Sequence, residues 1–120
     1  MAQEKDFENK VKDYLKDRKA WFIKYWAGAD FTKKGIPDIL VCDQGEFIAI
    51  EVKASNGKPT LLQLVTLKKI QEACGYGLLL YPQDYKGFCT FMENRSKKSD
   101  FYHYNLVKQE SWFKKLKEEK

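Results

Sequence analysis

The chain has 120 residues, 43% of them hydrophobic and 32% charged, with a formal net charge of +5. That is the size of one domain able to bury a core of its own, and no apolar run approaches the roughly 20 residues that span a bilayer. The polar start, MAQEKDFENK, lacks the apolar middle of a secretory signal, so a soluble protein of the cytoplasm is expected.

Residues 4–18 have helical periodicity: Phe7, Val11, Tyr14, Leu15 and Arg18 fall on one side. Glu8 lies at the edge of that stripe and is expected to face inward. AWFIKYWA, 20–27, is aromatic and β-branched and reads as a strand, followed by a loop, GADFTKKG, over 28–35. Ile39–Cys42 and Phe47–Val52 are two more strands joined at DQGE. Residues 60–74 form a helix ended by Gly75, and GLLLY, 77–81, is a short apolar strand. Residues 84–94 fit a helix or a strand. FYHYNLV, 101–107, is expected to be extended, with a helix over 108–118. The order predicts an α/β fold. Three strands form an antiparallel meander, a helix crosses over to a fourth strand, and helices flank the mixed sheet. No repeat or linker divides the chain, so residues 1–120 are expected to be one domain.

Few residue types remain for several chemistries. The single histidine, His103, leaves little for a Ser-His-Asp triad, and within FYHYN it reads as a half-exposed strand residue. The three cysteines, Cys42, Cys74 and Cys89, match no zinc spacing. Cys42 and Cys74 have apolar sequence neighbours and read as small core residues in a reducing compartment. Residues 95–120 carry eight Lys/Arg against four Asp/Glu, a net +4. This basic stretch is either a phosphate-binding footprint or a solvated helix.

The stretch GIPDILVCDQGEFIAIEVKASNGKPT, 35–60, places Asp38, Glu51 and Lys53 among aliphatic residues. Buried charge is costly unless it is paired or holds a metal. A two-residue turn at Gln44-Gly45 would put Asp38 opposite Glu51, with Lys53 on the same face. A three-residue turn would need a bulge to do the same. Two carboxylates this close repel unless a cation joins them. Carboxylate and carbonyl oxygens suit Mg²⁺, with Mn²⁺ as a substitute, and the Val52 carbonyl lies between Glu51 and Lys53. A divalent ion activates water against a phosphate, and Lys53 would stabilise the charge that develops. The competing reading is a plain buried ion pair.

Pro37-Asp38, then twelve residues, then Glu51-Val52-Lys53 resembles the signature of PD-(D/E)XK nucleases. The fuller pattern, with Gly35, the Gly45 hairpin, the KPT loop and Gln63, resembles the virus-type replication-repair nuclease domains (VRR-NUC) and is similar to Holliday-junction resolvases. The resemblance covers residues 4–81, with 95–120 as a basic extension, and implies a restriction-endonuclease-like core. It implies catalysis by Asp38, Glu51 and Lys53, and metal ligation by Asp38, Glu51 and the Val52 carbonyl. Glu8 would join them through water or on a second ion. Gln63 matches a glutamine near the family's active site, although TLLQ is also a helix capping box. Lys33, Lys34 and Lys58 are candidate DNA contacts or ordinary loop lysines. The implied activity is a Mg²⁺-dependent DNA endonuclease that leaves 5′-phosphate and 3′-hydroxyl ends. At 120 residues, cutting selective for branched, junction or nicked DNA is expected rather than site-specific restriction, and cutting two strands would need a symmetric homodimer. A stand-alone domain of this kind suits phage or mobile-element repair and recombination. The alternatives are a catalytically silent nucleic-acid-binding module and a subunit of a larger replication or repair assembly.

Overall fold

The computed structural model describes residues 2–26 and 34–119. Helix α1 (Ala2–Asp17) is followed by strands β1 (Trp21–Lys24), β2 (Ile39–Asp43) and β3 (Glu46–Val52). Helix α2 (Leu61–Glu72) leads to β4 (Tyr76–Leu80), and a 3₁₀ turn at Pro82–Asp84 leads to α3 (Tyr85–Glu93) and α4 (Asp100–Glu118). The sheet order is β1-β2-β3-β4. The first three strands are antiparallel, and β3 and β4 are parallel. The mixed sheet flanked by helices is the architecture expected.

The β2–β3 turn has two residues. Gln44 (φ 52°) and Gly45 (φ 81°) both lie in the left-handed region, as a type I′ hairpin requires and as its glycine permits. Asp43 and Glu46 close the turn, and the register runs without a bulge to Ile39 opposite Ile50. The next step brings Asp38 against Glu51.

Alternation along the strands builds two layers. Ile39, Val41, Ile48, Ile50 and Val52 face a core filled by Phe7, Val11 and Leu15 of α1 and Phe88, Phe91 and Met92 of α3. On the other face, Leu64 and Leu67 of α2 pack on Leu79 and Tyr81. Gly77 allows this close approach, since a Cβ there would stand 2.7 Å from the Leu67 carbonyl oxygen. The row Trp21, Cys42 and Phe47, paired across three strands, is exposed on this face.

Three expectations change. Residues 101–107 are helical, the first part of one 19-residue helix, α4. The Ser99 hydroxyl caps it by accepting the Tyr102 N–H, and Tyr102, Asn105 and Gln109 are buried at helical spacing. Exposed His103 is therefore on a helix. Cys42 and Cys74 are exposed thiols rather than core residues. Cys42 follows Val41 onto the opposite sheet face, and Cys74 lies just beyond α2. Gly75 is one position past the residue that turns the chain: Cys74 itself is left-handed at φ 72°. The ambiguous stretch 84–94 is helical as α3, with buried Phe88, Phe91 and Met92. No helix among the described residues is long and apolar enough to cross a membrane.

Candidate active site

The three charged residues of the hairpin meet at one end of the sheet, where β2 begins and β3 ends. Asp38 immediately precedes β2. Its Oδ2 accepts the Val52 N–H at 2.8 Å, so the side chain continues the ladder where backbone pairing stops. On the other side, the Tyr25 N–H donates to the Asp38 carbonyl at 2.8 Å. Asp38 is thus held between β1 and β3, its backbone by one and its carboxylate by the other. In a strand the N–H and C=O of one residue point to the same side, so the Val52 carbonyl is also directed toward Asp38.

Glu51 is 2% exposed. Its Oε2 lies 3.5 Å from Lys53 Nζ, but its buried Oε1 has no hydrogen-bond partner among the described residues. Burial pushes the Glu51 carboxyl up and neighbouring Asp38 adds to the rise, to about 8, against the opposing pull of Lys53. A buried carboxyl with an empty lone pair and a second carboxylate beside it costs free energy that a cation at that position would offset.

Glu8 is brought to the same end by α1, and faces inward as expected, 5% exposed. It is fully engaged there: Lys24 Nζ is 2.7 Å from Oε1 and Lys12 Nζ is 3.3 Å from Oε2. Burial alone would raise its carboxyl, but Lys24 and Lys12 outweigh this and hold it below the usual range. Lys24 also reaches Asp38 Oδ1 at 3.4 Å. Lys24 and Lys12 are the residues that sequence reasoning missed. The signal for Lys24 was its alternation with Phe22 onto the α1 side of β1, and for Lys12 its position four residues after Glu8 on the helix.

Gln63 caps α2. Its Oε1 accepts the Thr60 N–H at 2.9 Å while its own N–H donates to the Thr60 hydroxyl at 3.1 Å. This is a complete capping box for α2, an arrangement that stabilises a helix start by about 1 kcal/mol. Lys34 and Lys58 are exposed on either side of the hairpin stretch; Lys33 lies outside the described residues.

No group of three or more His, Cys, Asp or Glu side chains arranged to hold a metal occurs among the described residues, since Glu8 is drawn to two lysines. The donor set at the hairpin is two carboxylates and a carbonyl. That fits Mg²⁺, which keeps several waters and takes one or two carboxylates. Cavities of about 380 and 410 Å³ lie elsewhere, between α2 and α4 and on the outer side of α4, and neither contains a carboxylate pair. No family model matches the sequence, and no curated protein matches it either.

Proposed function

We propose that this chain is a Mg²⁺-dependent DNA endonuclease of the PD-(D/E)XK type, resembling in pattern the VRR-NUC domains and Holliday-junction resolvases. The observation that carries the reading is the buried Glu51, with Oε1 unpartnered, against Asp38 and 3.5 Å from Lys53. Asp38, Glu51 and the Val52 carbonyl would hold Mg²⁺ or Mn²⁺, which supplies a Lewis acid for the phosphate and lowers the pKa of water. Asp38 is fixed by the Val52 N–H, so one ligand is oriented before any ion arrives. Lys53, tethered to Glu51, presents its ammonium to the non-bridging phosphate oxygens as negative charge grows on them. The water oxygen would bond to phosphorus and give up a proton, the bond from phosphorus to the 3′ oxygen would break, and the 3′ oxygen would take up a proton from solvent. The products are a 5′-phosphate and a 3′-hydroxyl.

Lys34 and Lys58 are exposed and, with Lys33 beside Lys34 in sequence, would hold the DNA backbone. Branched, junction or nicked DNA is the proposed substrate, with DNA structure rather than sequence as the selected feature. A homodimer would supply one site for each of two strands. The free thiols Cys42, Cys74 and Cys89 go with a reducing, intracellular setting.

Cleavage of labelled duplex, flap, four-way junction and single-stranded DNA, with Mg²⁺, Mn²⁺ or EDTA, tests this directly. Cutting should need the ion, and Lys53→Ala and Asp38→Asn should each reduce it at least about a hundredfold while DNA binding persists. Wild-type rates in either variant would sink the site assignment. DNA binding without cleavage under every condition would instead favour a silent binding module or an assembly subunit.

A further inference from the structure

Lys24 stands where a cation would be expected. Its ammonium bridges two carboxylates of different elements, Glu8 of α1 at 2.7 Å and Asp38 before β2 at 3.4 Å. Its backbone position is set by pairing with Ile39, the residue after Asp38. The side chain is four-fifths buried and its ammonium lies 5.6 Å from the Trp26 ring centre. Lys12 adds a second ammonium to the far oxygen of Glu8.

Charge is therefore distributed unevenly across the site. At the Glu8 end, one carboxylate faces two ammonium groups. At the Glu51 end, one ammonium, Lys53, reaches only Oε2, at 3.5 Å, and the buried Oε1 has no partner among the described residues. A divalent ion is attracted to the second place and repelled from the first.

We propose that Lys24 is a built-in cation that fills the position between Glu8 and Asp38, so that the site takes a single divalent ion at Asp38 and Glu51. This rests on the nuclease reading above. Glu8 is then a positioning residue, not a metal ligand: it holds the Lys24 ammonium, which in turn holds one oxygen of Asp38. The other oxygen is held by the Val52 N–H, leaving the Asp38 carboxylate clamped from two sides.

Counting bound Mn²⁺ by titration calorimetry, with electron paramagnetic resonance to detect spin-coupled pairs, separates this from a simple structural ion pair. Wild-type protein should bind one Mn²⁺ per chain and show no coupled pair. Lys24→Gln removes the charge, leaves Glu8 and Asp38 to a second ion, and should bind two with a coupled signal. Lys24→Arg keeps the charge and should stay at one. Glu8→Gln should also stay at one, with affinity lowered by no more than the roughly 10–100-fold that loss of an outer-shell partner costs.

Two ions on the wild-type chain would overturn the proposal while leaving the nuclease reading intact. So would one ion on a folded Lys24→Gln chain, or a Glu8→Gln chain that no longer binds. Should Lys24→Gln fail to fold, the wild-type and Glu8→Gln counts decide. A wild-type chain that binds no Mn²⁺ would remove the metal site itself, and both readings with it.

Discussion

Glu51 is the residue whose environment is least satisfied, and its proton should be visible in the stability of the metal-free protein. Its folded pKa, about 8, lies above the ordinary 4.5 because burial and Asp38 disfavour the charged form. The native state therefore keeps a proton that the unfolded chain has released. This contribution is complete below the unfolded pKa and is lost as pH rises through the folded one. In EDTA, stability should fall between about pH 4.5 and pH 8 on account of Glu51. Glu51→Gln stays neutral, so its thermal midpoint at high pH should exceed the wild type's by roughly 5 °C. Mn²⁺ should narrow that gap by stabilising only the wild type. Melting curves across pH decide the matter, and parallel profiles for the two chains would refute it. The carboxylate pair itself was legible from sequence because a tight turn fixes the count of residues across a hairpin. Lys24 was not. Its partner strand lies beyond a long connection, where no turn geometry fixes the register, and Glu8 comes from a helix whose angle to the sheet is a tertiary matter. Cys42 differs from expectation for a related reason: apolar neighbours along a strand lie on the opposite face from the residue between them.

At the scale of the elements, both α1 and α2 end in the same way, with a left-handed residue that is not glycine. Beyond α1, Lys19 has φ 64°, and the Ala20 N–H returns to the Leu15 carbonyl. Beyond α2, Cys74 has φ 72°, its N–H bonds the Gln71 carbonyl, and the Gly75 N–H bonds the Ile70 carbonyl. These are Schellman closures, in which glycine is usual because a Cβ is strained there. Cys74 makes its further polar contact through its backbone: its carbonyl accepts Lys97 Nζ at 2.7 Å. Cys74→Gly should therefore preserve the closure, relieve the strain and raise stability by about 0.5–1 kcal/mol after the entropy cost of glycine. Urea unfolding measures this, and a lower midpoint would show that the thiol contributes more than the strain costs. Sequence placed the end of α2 correctly but assigned the turning role to Gly75, since glycine is the ordinary signal. The start of α4 was missed because FYHYN has the composition of a strand. Its helical signal lay in Ser99 as a cap and in polar Asn105 and Gln109, which do not register as core positions until their partners are known.

Those two polar residues explain how the whole molecule closes. β4 is an edge strand, and exposed edges invite pairing with other chains. Here α4 runs along it. Asn105 accepts the Leu79 N–H at 3.0 Å and donates back to the Leu79 carbonyl at 2.9 Å, as a neighbouring strand would. Gln109 and Gln71 both donate to the Gly77 carbonyl. The same helix sends Tyr102 into one core and packs Trp112, Phe113 and Leu116 against the other. Nor is the basic charge of the last quarter free for a polyanion throughout. Arg95 binds Asp43 and Glu46, each through a contact under 3 Å, Lys97 binds two carbonyls, and Lys108 pairs with Asp84. The segment that charge alone marked as an extension is thus packed into the fold. A chain ending at residue 98 should lose both the edge cover and the Trp112–Leu116 packing, at a cost that approaches the 5–15 kcal/mol stability of a typical domain. It should unfold without a cooperative transition, bind hydrophobic dye and self-associate through β4. Asn105→Ala in the full chain is the milder form. It leaves a backbone donor and acceptor of Leu79 unpaired and should cost about 2–3 kcal/mol, read from urea unfolding. A shortened chain that melts cooperatively with native near-ultraviolet dichroism would show that the sheet and α1–α3 form a sufficient core, and that α4 only covers it.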